Sequence, residues 1–210
     1  MSMAVATSGA EAQPHQAPRG GSSAMSSSIP PGMLKEMQEV GRDLYRLALV
    51  TSHGGNLSLR AGHDMWITGT GTMLGRLEAR HISLVRADGS HEGPPPSSDT
   101  VLHATTYALC GAQALAHAHP RHAIALSFDT GLFVPGDLEG QLHLKEVPVI
   151  EQGPRQVEQV AQALAANLVV LLRGHGAYAR GATLWEALHW VTALEESAHI
   201  AWLRGHRCPH

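Results

Sequence analysis

Three histidines in two short motifs are the residues of this sequence best suited to chemistry. His117 and His119 are separated by one residue, and in a strand that spacing places both imidazoles on the same face. His175 stands between two glycines, which let the backbone turn tightly and direct the ring inward. Three imidazoles suit an open catalytic zinc site. The alternative is that each is an ordinary, partly buried histidine, in a chain that has 15 of them.

A carboxylate and two serines stand at a predicted helix start. Ser97, Ser98 and Asp99 follow a run of prolines and precede apolar residues, which is how a capped helix begins. Backbone capping alone would explain all three. A helix start also gathers free N–H groups, so the segment could hold a phosphate beside a carboxylate that acts as a base or a metal ligand. His103 lies one turn beyond Asp99 and could hydrogen-bond to it or pack in the core.

Hydrophobic periodicity predicts the elements that must position these residues. Helices are predicted over residues 33–50, 97–110, 120–125, 156–166 and 183–203. Short strands are predicted over residues 57–59, 65–68, 82–86, 114–119, 168–172 and 177–179. The histidine pair therefore ends one strand, and His175 lies in the turn between two others. The glycine-rich turn at 69–71 fits neither a Walker phosphate loop nor a dinucleotide fingerprint, so nucleotide binding is not expected.

Composition limits the class of protein. The 210 residues, 43% of them hydrophobic, suit one domain with a single sizeable core. A net charge of -3 gives no broad basic field, so no nucleic-acid partner is expected. No apolar run reaches the roughly 18 residues of a membrane span, and two cysteines suit a reducing, cytoplasmic setting. Residues 1–31 are poor in large aliphatic side chains, so we expect a disordered tail before a catalytic domain at 32–210.

Five motifs in this order resemble the class II aldolase/adducin superfamily, which includes fuculose-1-phosphate aldolases, ribulose-5-phosphate 4-epimerases and methylthioribulose-1-phosphate dehydratases. The motifs are Gly54-Gly55-Asn56-Leu57-Ser58, Ile67-Thr68-Gly69-Thr70-Gly71, Pro96-Ser97-Ser98-Asp99, His117-Ala118-His119-Pro120 and Arg173-Gly174-His175-Gly176. The likeness spans about residues 34–203. It implies a three-layer α/β/α fold with a central, mainly antiparallel sheet, assembled as a homotetramer with active sites at subunit interfaces.

The resemblance also implies roles for individual residues. One zinc ion per subunit, or another divalent metal, would be held by His117, His119 and His175. Asp99 would be a further ligand or the catalytic acid/base. The substrate phosphate would be held by Asn56, Thr70, Gly71, Ser97 and Ser98.

The implied activity is that of a zinc-dependent aldehyde-lyase. It would cleave a ketose 1-phosphate, such as fuculose 1-phosphate, to dihydroxyacetone phosphate and an aldehyde, through an enediolate whose charge the metal stabilises. An epimerase or dehydratase on the same scaffold is an alternative favoured by Asp99, because the aldolases usually carry glutamate there. A non-catalytic, adducin-like interaction module is another, which the complete histidine trio opposes. Because the chain ends at His210, we expect the tail tyrosine that serves family members to be absent.

Overall fold

The fold is built on one sheet. The computed structural model describes residues 28–205. Within this range the strands are β1 (Asn56–Ala61), β2 (Asp64–Thr68), β3 (Ile82–Val85), β4 (His91–Glu92), β5 (Ala114–Ala118), β6 (Leu132–Phe133), β7 (Val147–Ile150), β8 (Val169–Leu172) and β9 (Gly176–Gly181). Their order across the sheet is β4-β3-β2-β1-β5-β9-β8-β7-β6. Among these strands β7 and β8 form the one parallel pair, so the expected mainly antiparallel sheet is confirmed.

Helices cover both faces of the sheet. They are α1 (Pro31–Arg46), α2 (Thr100–Leu109), α3 (Arg121–Ser127), α4 (Leu138–His143), α5 (Gln156–Ala166) and α6 (Leu184–Gly205). On one face α6 packs on β5 and β9 and contacts α1, α3 and α4. On the other face α2 and α5 pack on each other and enclose a second apolar cluster. The sheet therefore lies between two helical layers, which confirms the expected α/β/α arrangement.

The first helix ends earlier than its apolar periodicity predicts. Met37, Val40 and Leu44 form its fully buried stripe. The helix stops at Arg46 because Ala48 adopts a left-handed conformation, with φ of 57°. The N–H of the next residue then donates back to the carbonyl oxygen of Leu44 at 2.9 Å, which closes the helix end.

Three short elements between residues 130 and 150 have no counterpart in the sequence prediction. They are β6, α4 and β7, which are 2, 6 and 4 residues long. Elements of two and six residues are too short to show a strand or helical period, and in β7 Pro148 interrupts the apolar run. The short helix is fixed instead by a cap, because the N–H of Gly140 donates to Oδ1 of Asp137 at 2.8 Å.

The predicted N-terminal tail falls largely on residues 1–27, which lie outside the described residues, as do residues 206–210. Ile29, which the expected boundary assigns to the tail, is 7% exposed and packs in the larger apolar core. Core packing therefore begins before residue 32. Within the part of the chain that the structure describes, no helix has the length and apolarity needed to cross a bilayer.

Candidate active site

Strand register places three polar side chains in one row across the sheet. Asn56 of β1 lies opposite His117 of β5, and His117 lies opposite Tyr178 of β9. Residues directly opposed in antiparallel strands project from the same face, so an amide, an imidazole and a phenol stand side by side. The rings of His117 and Tyr178 are stacked, with centroids 4.2 Å apart. The row lies beneath the start of α2, where Asp99 meets it.

The three predicted metal ligands converge at the end of this row. One ring nitrogen from each of His117, His119 and His175 lies within 4.8 Å of the other two. The Nε2 atoms of His117 and His119 are 3.0 Å apart. The ring of His175 is parallel to that of His117, with centroids 4.9 Å apart. Because His117 is buried and His175 is exposed, the cluster opens to solvent on the His175 side.

The donor set fits a divalent metal ion. Nδ1 of His117 lies 3.0 Å from the carbonyl oxygen of Ala177 and donates to it. Its Nε2, the nitrogen that faces His119, therefore keeps a free lone pair. Burial lowers the pKa of His117 to about 3 and also lowers the pKa of His119. Both rings are thus neutral at physiological pH, the form in which imidazole binds metals.

Two glycines let the backbone approach the ligand rings. A Cβ added at Gly176 would lie 2.4 Å from the carbonyl oxygen of Ala118 and 2.8 Å from ring carbons of both His117 and His119. A Cβ at Gly54 would lie 2.8 Å from Nδ1 of His119. Neither glycine has a left-handed φ. Space, rather than backbone freedom, is therefore what these positions require.

The turn that carries His175 is anchored to α3. Gly174 has a φ of 64°, which favours glycine, and its N–H donates to Oγ of Ser127 at 2.9 Å. Arg173 donates to the carbonyl oxygen of Ser127 and, at 3.2 Å, to that of Thr130. The arginine and first glycine of the Arg-Gly-His-Gly motif therefore hold the loop in place, and the histidine is the group offered to the site.

Asp99 turns into the site instead of capping α2. It occupies the cap position, but its side chain makes no capping hydrogen bond. Its Oδ2 accepts hydrogen bonds from Nδ2 of Asn56 at 2.8 Å and from the hydroxyl of Tyr178 at 3.0 Å. The capping explanation is therefore wrong for this residue. Burial opposes ionisation of Asp99, yet nearby His117 and the donated hydrogen bonds outweigh burial and lower the pKa of the carboxyl.

The two loops predicted to hold phosphate are adjacent. Gly69 forms an isolated β-bridge with Pro96. The Thr70 N–H donates to the carbonyl oxygen of Pro95 at 2.9 Å, and its Oγ1 donates to that of Pro96 at 2.8 Å. Gly71, with a φ of 70°, is exposed at the tip of the turn. Residues 69–71 and 96–98, which are distant in sequence, therefore lie next to each other, with Thr70, Gly71 and Ser98 exposed.

The predicted phosphate-binding residues differ in their exposure to solvent and in whether their polar atoms already have hydrogen-bond partners. Ser98 is exposed, as are Thr70 and Gly71. Ser97 is buried, and its Oγ accepts from the N–H of Asp99 at 3.2 Å. Asn56 is buried, and its amide nitrogen is engaged by Asp99. Only the first three thus face solvent, and their contact with a phosphate stays a prediction.

The fold adds Tyr178 to the site and places His103 in the core, which is the second of the two roles that the sequence allows for this histidine. Tyr178 was not predicted as a site residue, because only the pairing of β5 with β9 shows that it neighbours His117. His103 does not bond to Asp99. Its Nδ1 pairs with Oγ of Ser58 at 2.7 Å, and that hydroxyl also pairs with the hydroxyl of Tyr107 at 2.7 Å. Burial lowers the pKa of His103 to about 4, so this ring is neutral.

Known proteins share both the sequence pattern and the fold. The family described as Class II Aldolase and Adducin N-terminal domain matches residues 35–202. The crystal structure of L-fuculose-1-phosphate aldolase from Thermus thermophilus is 36% identical, with a TM-score of 0.78 over 85% of this chain and 98% of that chain. The L-fuculose phosphate aldolase of Methanococcus vannielii is 29% identical over 173 residues, covering 80% of this chain and 94% of its own.

A relative with another activity matches over a similar length. The 3-oxo-tetronate 4-phosphate decarboxylase of Escherichia coli strain K12 is 29% identical over 195 residues, covering 86% of this chain and 91% of its own. Both kinds of relative are enzymes of one family. With the family match over most of its length, the three-layer fold and the converging histidines, this chain belongs to the class II aldolase and adducin family.

Proposed function

We propose that this protein is a zinc-dependent aldehyde-lyase that cleaves a ketose 1-phosphate resembling fuculose 1-phosphate to dihydroxyacetone phosphate and an aldehyde. The observation that carries the proposal is the carboxylate of Asp99 beside three converging imidazoles. The relatives named as fuculose phosphate aldolases support the same reaction. The ion would be held by His117, His119 and His175, and another divalent metal could replace zinc.

The chemistry divides between the ion and the carboxylate. When bound, a divalent ion supplies Lewis-acid stabilisation of the charge that develops on the ketose oxygens as the C–C bond breaks. Cleavage also requires a base to take the proton of the hydroxyl on the carbon that leaves as the aldehyde. Asp99 suits this step because it is the carboxylate beside the histidine cluster and, with its lowered pKa, it is ionised and able to accept a proton. The electron pair of the broken bond remains on the ketose fragment, which must then gain a proton on carbon.

The exposed loop surface supplies a place for the substrate phosphate. We propose that Thr70, Gly71 and Ser98 contact it at the surface, together with Ser97 and Asn56 from the buried side. Hydroxyls and backbone N–H groups beside a helix start are suitable anion ligands. The carboxylate lies next to this surface, because Asp99 directly follows Ser98 in the chain. Phosphate and reacting carbons would therefore be held by neighbouring segments.

Decarboxylation of a phosphorylated 3-oxo acid is the second candidate. It is favoured by the decarboxylase relative, which matches as much of this chain as the aldolases do. Loss of carbon dioxide next to a carbonyl also leaves negative charge on the carbonyl oxygen, so the same ion and loops would serve. The difference lies at Asp99, because decarboxylation needs no base to deprotonate a hydroxyl before the bond breaks.

Assembly and location are proposed from the resemblance. We propose a homotetramer with active sites at its subunit interfaces, working in the cytoplasm. Light scattering coupled to size-exclusion chromatography measures the subunit number directly. A monomer at micromolar concentration would contradict the proposed assembly.

The decisive experiment is product analysis on a small substrate panel. The panel contains fuculose 1-phosphate, other ketose 1-phosphates, ribulose 5-phosphate and phosphorylated 3-oxo acids. Chelation should abolish turnover and Zn²⁺ should restore it. Release of dihydroxyacetone phosphate supports the lyase, whereas release of carbon dioxide supports the second candidate. A protein that binds no metal and transforms nothing would instead match the non-catalytic alternative.

Asp99→Asn separates the role of the carboxylate from that of the ion. An asparagine oxygen can still accept from Asn56 and Tyr178, so the fold and the histidine cluster should remain intact. We expect metal content close to wild type and loss of the lyase activity. Asp43→Asn on α1 is the matched control and should keep full turnover. Normal lyase activity in Asp99→Asn would refute the assignment of the base.

A further inference from the structure

Tyr178 touches both parts of the proposed machinery. Its ring stacks on His117, and its hydroxyl donates to Asp99. We propose that Tyr178 is a positioning residue: together with Asn56 it occupies Oδ2 of Asp99, so that Oδ1 is the oxygen left to act on the substrate. This inference rests on the proposed role of Asp99 in catalysis.

The two oxygens of Asp99 have different surroundings. Oδ2 accepts two hydrogen bonds, from Asn56 at 2.8 Å and from Tyr178 at 3.0 Å. One carboxylate oxygen has about two acceptor sites, so Oδ2 has little capacity left. Within residues 28–205, Oδ1 has no hydrogen-bond partner. The carboxylate is therefore held with one oxygen engaged and the other available.

The position of the phenol is fixed from below by the sheet. Tyr178 is 2% exposed and stands opposite His117 in the β5–β9 register. The two rings are 14° from parallel. A side chain held by burial, strand pairing and stacking has little freedom, so its hydroxyl presents a fixed donor to the carboxylate. Asn56 is held by burial and strand pairing, opposite His117 on the other neighbouring strand.

Two hydrogen-bond donors from different strands restrict the rotation of the carboxylate more than one donor does. With only Asn56, the carboxylate can rotate about its last torsion and exchange its two oxygens while it keeps one hydrogen bond. The second donor, Tyr178, removes this freedom. A base that must meet a proton at hydrogen-bond distance loses rate when its orientation is not fixed.

Tyr178→Phe tests the role because it removes the hydroxyl and keeps the stacked ring. We expect kcat on the substrate identified for the wild type to fall about 10- to 100-fold, as for loss of one hydrogen bond to a charged group. KM should change by less than about threefold, because no substrate contact is removed. The Zn²⁺ dissociation constant, measured by chelator competition, should also change by less than about threefold, because the histidine trio is intact.

Tyr107→Phe is the matched control. Tyr107 is a buried tyrosine whose hydroxyl pairs with Ser58, in the same layer between the sheet and α2. Loss of the Tyr107 hydroxyl removes a comparable buried hydrogen bond and should lower thermal stability without lowering kcat. The inference is overturned if Tyr178→Phe keeps kcat within about twofold of wild type. It is also overturned if Tyr107→Phe lowers kcat as much as Tyr178→Phe does.

A crystallographic comparison gives a readout that does not depend on turnover. Wild-type crystals should show one orientation of Asp99, with Oδ2 on Asn56 and Tyr178. Crystals of Tyr178→Phe should show the carboxylate rotated or in two orientations. An unchanged single orientation in the variant would overturn the inference. If the wild type transforms no substrate of the panel, the proposed function fails, and the crystals still decide what Tyr178 does.

Discussion

A methyl group added at Gly176 should damage the histidine cluster from within the sheet. The Cβ of an alanine there would lie 2.4 Å from the carbonyl oxygen of Ala118, and 2.8 Å from ring carbons of both His117 and His119. All three distances are shorter than normal contacts between non-bonded atoms. The first neighbour belongs to the backbone of β5, which is paired with β9 at this point. Either the two strands separate locally or both ligand rings are displaced.

The size of the effect follows from what must move. Extra volume in a well-packed interior costs about 1–3 kcal/mol of unfolding free energy. Metal sites also need their ligands within about 0.5 Å of the productive geometry. Because two of the three rings meet the new methyl group, we expect Gly176→Ala to bind Zn²⁺ about 10- to 100-fold more weakly than wild type. Turnover measured at a limiting concentration of Zn²⁺ should fall together with the affinity for the ion.

The assay is a titration of metal-free protein with Zn²⁺ in competition with a chromophoric chelator, together with urea unfolding. Gly131→Ala is the control, because a Cβ there meets no atom within 4 Å and its φ is not left-handed. We expect the control to keep its affinity for zinc. Equal zinc affinity in Gly176→Ala and wild type would refute the reasoning that this glycine is required for the close approach of the rings.

Two further predictions concern stability. Ala48, with a φ of 57°, is strained, so Ala48→Gly should raise the free energy of unfolding in urea by about 0.5–1 kcal/mol; a loss would contradict this. Burial lowers the pKa of His103 from 6.5 to about 4, so the unfolded chain binds more protons between these values. His103 alone should therefore lower the stability of the metal-free protein by roughly 3 kcal/mol as pH drops from about 6.5 to 4, and the lowered pKa values of His117 and His119 add to this loss. His103→Asn should reduce that dependence in urea unfolding measured at several pH values, and an unchanged slope would exclude His103 as a contributor.

The longer elements were predictable because their signals are local. The apolar spacing of residues 156–166 gave both ends of α5. The last helix is predicted from residue 183, and Oγ1 of Thr183 accepts from the N–H of Glu186 at 3.2 Å, as a helix cap does. The stretch that contains β6, α4 and β7 gave no such signal, because tertiary contacts rather than periodicity hold elements of that length.

The site was predictable to the extent that its residues are close in sequence. His117 and His119 share one strand end, so their common direction follows from strand geometry alone. The partners of Asp99 could not be predicted in this way, because Asn56 and Tyr178 come close to it only through the pairing of β1, β5 and β9. The carboxylate leaves its expected role as a cap because charge-assisted bonds from these two donors replace a bond to the backbone. A single sequence does not contain that register.

The row formed by Asn56, His117 and Tyr178 also sets when the site can form during folding. Its members come from strands that are far apart along the chain, and such pairing closes long loops and is slow. A partly folded chain has only the adjacent pair His117 and His119, which can capture an ion loosely. The complete row forms only once β1, β5 and β9 have paired. Tight binding of the proposed ion should therefore coincide with the last steps of folding, and the ion would stabilise the finished molecule.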